Sequence, residues 1–185
     1  MAIRPWRKVA ESSVVRNPWW TYRRDAVELP DGRPGEYHYV HTEGSAMVVP
    51  VAEDGRLVMV RQWRYLASRE SLEFPGGGVK GGASPEEAAR AELAEETGQA
   101  AHELVPAGRF NPYNGVTDEM CEVFVARGLH PAEGVKPDET EELEVELVSP
   151  ADLEARIRTG EVWDGQSIVA WHLARALVEG GPGER

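Results

Sequence analysis

Glu92, Glu95 and Glu96 stand at i, i+3 and i+4 in the run AELAEETG. On a helix, that spacing puts three carboxylates on neighbouring positions of one face. Anions crowded in this way repel one another unless a cation lies among them. Carboxylate oxygens are hard ligands suited to Mg²⁺ or Mn²⁺, with substrate phosphates commonly completing the coordination. Glycines at 76–78, 81 and 82 precede the same segment, and glycine lets a backbone approach an ion closely. The ordinary meaning of a Glu-rich helix is a solvated acidic face. The glycine loop just ahead of this one favours a metal site.

The helix itself is well specified. Ser84 and Glu87 fit the S-x-x-E capping box, with Pro85 at the first helical position. Ala88, Ala89, Ala91, Leu93 and Ala94 are strong helix formers, and Gly98 is the expected stop.

Residues 76–98, GGGVKGGASPEEAARAELAEETG, resemble the Nudix box, G-x5-E-x7-R-E-U-x-E-E-x-G-U, where U is aliphatic. Gly77 takes the first position, and Glu92, Leu93, Glu95, Glu96 and Gly98 fill the core at the right spacing. Three positions depart: Ala83 replaces Glu, Ala91 replaces Arg, and Gln99 replaces an aliphatic residue. In the family, that Glu and Arg brace the loop against the helix. Losing both strands neither, so the pair reads as a missing brace and not a missing catalytic group. Arg90 would point about 100° away around the helix, a poor substitute.

The flanks extend the resemblance to roughly residues 37–178. LVMVRQWRYLASRESLEFP, FNPYNGVTDEMCEVFVARG and ETEELEVELVS are similar to segments of ADP-ribose and nucleoside-diphosphate-sugar pyrophosphatases. The resemblance implies an α/β/α sandwich with a mixed sheet and a metal-dependent hydrolase. Its substrate would be ADP-ribose or a related nucleoside diphosphate sugar, split into a nucleoside monophosphate and a sugar phosphate. GDP-mannose is the rival substrate. A catalytically weak sensor that binds a nucleotide sugar is the rival of another class.

Site residues follow in the same way. Glu92, Glu95 and Glu96 are the candidate ligands, and the resemblance adds the Gly76 carbonyl. A general base is sought in Asp138–Glu142, where the resemblance gives Glu139 as base and Glu141 as second carboxylate; Glu119 is a weaker rival. The resemblance sets Arg64 against the diphosphate, and a bidentate guanidinium suits that task. Glu73 is a candidate for orienting the loop or the ribose. Trp20, Tyr22 and Arg23 are candidates for holding the base. Neighbours on a strand face opposite sides, so at most one of Trp19 and Trp20 faces a given pocket.

Composition sets bounds on this reading. A chain of 185 residues, 41% hydrophobic, can bury one good core and a small appendage. A net charge of −12 argues against nucleic acid as partner. Divalent ions at the acidic helix would reverse the sign locally for a diphosphate. A single cysteine, Cys121, excludes an internal disulfide framework. No apolar run is long enough to span a bilayer, and MAIRPWRKVA lacks an apolar signal core, so a cytoplasmic protein is expected.

Residues 1–44 read as an antiparallel appendage of two strands, VVRNPWWTYRRDAVEL and RPGEYHYVHTE, around a PDG turn. It is too small to fold alone, and its aromatics predict a homodimer interface. Residues 45–180 form the catalytic domain and 181–185 a frayed tail. In the domain, a hairpin is expected across Asp54-Gly55. Leu143, Val145 and Leu147 alternate with Glu142, Glu144 and Glu146, as in a strand with its glutamates in water. Ser149-Pro150 starts a helix to about Thr159, and residues 166–179 form the last.

If Ala83 and Ala91 replace a paired brace, Ala83→Glu with Ala91→Arg is better tolerated than either change alone. A double-mutant cycle in thermal unfolding is expected to give a favourable coupling. Additive changes would show that the two positions do not face each other.

Overall fold

The computed structural model describes residues 3–134 and 142–180. In chain order the strands are β1 (Arg7–Arg16), β2 (Thr21–Glu28), β3 (Pro34–His41), β4 (Ser45–Pro50), β5 (Leu57–Arg64), β6 (Arg69–Glu73) and β7 (Gly76–Gly78). Then come α1 (Pro85–Thr97), β8 (Gln99–Phe110), β9 (Cys121–Pro131), β10 (Glu144–Val148), α2 (Pro150–Thr159) and α3 (Gly165–Glu179). The chain divides into two compact units: Met1–Glu43 with Asn111–Glu119, and Gly44–Phe110 with Met120–Arg185.

The second unit is organised around β4, SAMVVP, buried at every position. Alternation divides its side chains between two layers. Ala46 and Val48 pack with Ala88, Ala89 and Leu93 of α1. Met47 and Val49 pack with Leu153 of α2 and with Ala170, Trp171 and Ala174 of α3. Burying each such Val or Leu contributes roughly 1.5–3 kcal/mol. The sheet order is β7-β4-β9-β8, with β4 parallel to β9 and the other pairs antiparallel. A second sheet, β10-β5-β6, is antiparallel throughout. This is the expected mixed-sheet sandwich with helices on both faces.

Several local expectations differ from the structure. The turn at Asp54-Gly55 forms, with Asp54 Oδ1 accepting from the Arg56 N–H at 3.0 Å. Its flanking strands nevertheless part into different sheets, linked at the turn by the Ala52 N–H bond to Arg56 O and by the bridge Val51↔Leu57. Both edges of β4 are already taken by β7 and β9, and Pro50 has no N–H to offer a third partner.

In β10 the faces are inverted. Glu146 is half-buried and receives Arg61 Nη2 at 2.8 Å and Arg156 Nη1 at 2.6 Å, while Val145 and Leu147 are exposed. Burial acts to raise the Glu146 pKa, but the two arginines outweigh it and hold the carboxyl below its usual range. Alternation sets a period but not its phase, and a one-residue shift turns every side chain over.

The first unit is a three-stranded sheet, β1-β2-β3, where two strands are expected. β1 is exposed along nearly its whole length, so no apolar alternation announces it. The run VVRNPWWTYRR breaks at Asn17, whose Oδ1 accepts from the N–H groups of Trp19 at 2.9 Å and Trp20 at 2.8 Å. Trp19 and Trp20 therefore lie in an Asx turn outside β2, and strand alternation does not apply to them. Segment 111–119 joins this unit: the Val40 N–H donates to Val116 O at 2.8 Å, and Asn111 Nδ2 donates to Thr117 O and Glu119 O.

Ser167, only 1% exposed, ties α3 to the strand leading into the glycine segment, accepting from the Phe74 N–H at 3.0 Å. Ser167→Ala leaves that buried donor unpaired, which costs about 1–3 kcal/mol. Calorimetry is expected to record a Tm lower by several degrees; an unchanged Tm would mean that the bond contributes nothing net.

Candidate active site

Helix α1 forms as its sequence dictates. Ser84 Oγ accepts from the Glu87 N–H, and Glu87 accepts from the Ser84 N–H at 2.7 Å, closing the capping box. Gly98 ends the helix in the left-handed region at φ 67°. Glu92 and Glu96 are half-buried, whereas Glu95 is exposed.

The glycines form β7, paired antiparallel to β4 under this helix. At Gly76 and Gly77 an added side chain would force a neighbour to move. A Cβ on Gly76 would lie 2.7 Å from Ala46 O, and one on Gly77 would overlap the Glu92 carboxylate, 2.6 Å from its Cδ. The Gly76 N–H donates to Glu96 Oε2 at 3.3 Å. Loop and helix are thus joined through Gly76, Gly77, Glu92 and Glu96, with alanine at both brace positions. Arg90 is engaged elsewhere, with Glu86 and with Ala101 O of β8.

On the β5–β6 hairpin, register sets Val60 opposite Glu73, Gln62 opposite Ser71 and Arg64 opposite Arg69, so these side chains share one face. Arg64 grips Glu73 with two parallel hydrogen bonds, Nε to Oε1 at 2.8 Å and Nη2 to Oε2. Glu73 is only 4% exposed, and Gln62 Nε2 adds a donor at 3.4 Å. The bonds to Glu73 are the main cause raising the Arg64 pKa, with Asp164 and Glu96 contributing through space. Arg64 and Glu73, inferred separately, are therefore partners. Gln62 and Asp164 were not foreseen. The i, i+2 spacing of Gln62 and Arg64 signals them only once the hairpin register is known.

The hard-oxygen character of Glu92, Glu96 and the adjoining glycine backbone fits a divalent cation that keeps water and phosphate among its ligands. Among the described residues, no three His, Cys, Asp or Glu side chains gather closely enough to hold a metal by themselves. Mg²⁺ commonly needs only one or two protein carboxylates beside substrate phosphates, so this geometry remains of the right class. Glu139 and Glu141 lie outside the described residues.

In the first unit, Tyr22 Oη lies 2.9 Å from His38 Nδ1 with the rings stacked, and Arg23 pairs with Glu11 at 3.2 Å. Trp20 is exposed beside its turn. A cavity of about 350 Å³ is lined by Tyr37, Tyr39, Asn111, Asn114, Thr117 and Asp118.

The family model of the NUDIX domain matches residues 41–171, and that of the nucleoside diphosphate sugar hydrolase N-terminal domain matches residues 6–40. The chain belongs to the Nudix family of hydrolases. It is 34% identical to an ADP-ribose pyrophosphatase of Bacillus subtilis over 78% of each chain. It is 30% identical to a methanol dehydrogenase activator of Bacillus methanolicus, over 79% of this chain and 80% of that one. A crystal structure of an ADP compounds hydrolase matches at TM-score 0.84 over 97% of each chain with 23% identity, a likeness of fold. Nudix hydrolases generally use divalent metal cations.

Gly77→Ala is expected to displace Glu92 and lower kcat by about 100-fold, the scale of a 1 Å misplacement, with an unchanged circular dichroism spectrum. Gly78→Ala, whose Cβ would meet nothing nearer than 4.0 Å, is the control. Equal kcat in both variants would remove the Gly77–Glu92 contact from the mechanism.

Proposed function

We propose that this Nudix hydrolase cleaves the pyrophosphate bond of ADP-ribose or a related nucleoside diphosphate sugar, releasing a nucleoside monophosphate and a sugar phosphate. The observation that carries the reading is the glycine strand pressed against Glu92, with Arg64 and Glu73 paired nearby on the same unit. The relatives named ADP-ribose pyrophosphatases support the substrate class.

Glu92, Glu95, Glu96 and the Gly76 carbonyl are the proposed ligands of Mg²⁺ or Mn²⁺. The metal supplies charge neutralisation on the phosphates and lowers the pKa of the attacking water. Arg64, pre-oriented by buried Glu73, offers its remaining N–H donors to the diphosphate. Glu139 acts as general base and Glu141 as a second carboxylate; both assignments rest on the family resemblance. Trp20, Tyr22 and Arg23 are the proposed holders of the base in a partner subunit, an assignment that rests on the family resemblance.

A homodimer through residues 1–44 belongs to the same proposal. Trp6, Val9, Val14, Val15 and Trp19 are each more than half exposed, the apolar surface of an interface. A cytoplasmic location, where nucleotide sugars are available, completes it. No helix among the described residues is long and apolar enough to cross a membrane.

Incubation with Mg²⁺ and ADP-ribose is expected to yield AMP and ribose 5-phosphate by chromatography, and EDTA to abolish it. GDP-mannose in the same panel tests the rival substrate. Glu96→Gln is expected to lower kcat at least about 100-fold, the scale of several kcal/mol of lost transition-state stabilisation. Full activity in EDTA, or an unchanged kcat in Glu96→Gln, would exclude the proposed metal helix. Glu139→Gln is expected to lower kcat more than it alters KM. A mild Glu139→Gln beside a crippling Glu141→Gln would reverse the two roles.

A further inference from the structure

Arg64 and Arg69 are register partners on β5 and β6, so two guanidinium side chains leave directly opposite positions on one face. Like charges so placed destabilise a strand pair unless something anionic lies between or beside them. Arg64 is matched by Glu73. Among the described residues, no carboxylate within salt-bridge distance matches Arg69. Its guanidinium instead lies over the Trp163 ring, 4.0 Å from the centroid, and the Trp163 Nε1–H donates to Glu70 O at 3.0 Å, fixing the ring against β6. A cation on a ring face keeps its in-plane N–H donors available.

The backbone that joins the two arginines is held under strain. The turn Tyr65–Ala67 ends in Ser68 at φ 51° and ψ 42°, the only residue other than glycine at positive φ among the described residues. A serine in that region is unfavourable and persists where the surroundings over-determine it. Ser68 N–H donates to Tyr65 O at 3.1 Å, tightening the turn. The hairpin tip thus presents one arginine clamped by a carboxylate and one by an indole.

We propose that Arg69, seated on Trp163, is a second anion-binding arginine of the active site. With Arg64 it takes the diphosphate of the substrate from one side. The inference rests on the diphosphate reading of the site. Cβ atoms of directly opposed residues lie about 5 Å apart, so both guanidinium groups reach adjacent phosphoryl oxygens. Trp163 is a positioning residue that holds Arg69 without touching the substrate.

The test is titration calorimetry of full-length protein with inorganic pyrophosphate in magnesium buffer, followed by hydrolysis kinetics with ADP-ribose. Arg69→Ala is expected to weaken pyrophosphate binding about tenfold or more, the scale of one charge-assisted hydrogen bond. It is expected to raise KM more than it lowers kcat. Arg69→Lys restores part of the affinity, and Trp163→Leu weakens it to a smaller degree. Arg158→Ala, at the exposed end of α2, controls for net charge and leaves binding as in the wild type.

Pyrophosphate affinity and KM unaffected by Arg69→Ala overturn the proposal, most clearly if Arg69→Ala and Trp163→Leu lower only Tm, the result of a mere clamp on the hairpin. Wild-type protein that binds neither pyrophosphate nor ADP-ribose overturns it too. Binding of pyrophosphate that depends on Arg69, in a protein that leaves ADP-ribose intact, sinks the substrate reading and leaves the arginine pair standing.

Discussion

A Cβ on Gly76 would strike the backbone of β4 and one on Gly77 the Glu92 carboxylate, and the seating of the glycine strand against α1 depends on those two contacts. One glycine presses on the backbone of β4 and the other on the Glu92 carboxylate, so strand, loop and helix meet at van der Waals distance. β4 is in turn buried on both faces, by α1 on one side and α2 and α3 on the other. A side chain at Gly76 would push β7 off the backbone of β4, and one at Gly77 would displace the Glu92 carboxylate. The capping box at Ser84 and Glu87 then sets where that helix begins. The Gly76 N–H bonded to Glu96 ties the loop from the other end. Loop and helix are thus joined by contacts that do not involve Ala83 or Ala91.

Electrostatics sets the second constraint. A chain of net charge −12 is a poor attractor of diphosphates. Its arginines are accordingly placed one by one. Arg61 and Arg156 are committed to Glu146 on one face of the β10-β5-β6 sheet. Arg64 is committed to Glu73 on the other, but in a half-exposed position that leaves donors over. Burying Glu73 without its arginine would strand an anion. That dependence holds the Arg64 guanidinium against Glu73.

Much of the site was legible in the chain because it depends on local rules. Helix α1, its cap, its stop and the glycine approach all follow from residues within one segment. Glu92 and Glu96 fall where the helical period puts them. Legibility failed where partners are distant. The split of β4 and β5 into different sheets, the inverted faces of β10 and the pairing of Arg64 with Glu73 each depend on a strand register. Segment 111–119 joined the first unit through backbone bonds to β3, which no side-chain pattern encodes. β1 escaped notice because a strand exposed on both faces has no period to read.

The sequence alone determined the family, the acidic helix and the glycine segment, since these follow from spacing along the chain and from glycine's freedom to approach a neighbour closely. Tertiary structure alone decided which strands pair, which face of β10 meets the arginines, and that Arg64, Glu73 and Gln62 form one cluster. The physical reason is that a side chain's period is a local property. Its phase and its partner are set by the element packed against it, and that element comes from elsewhere in the chain.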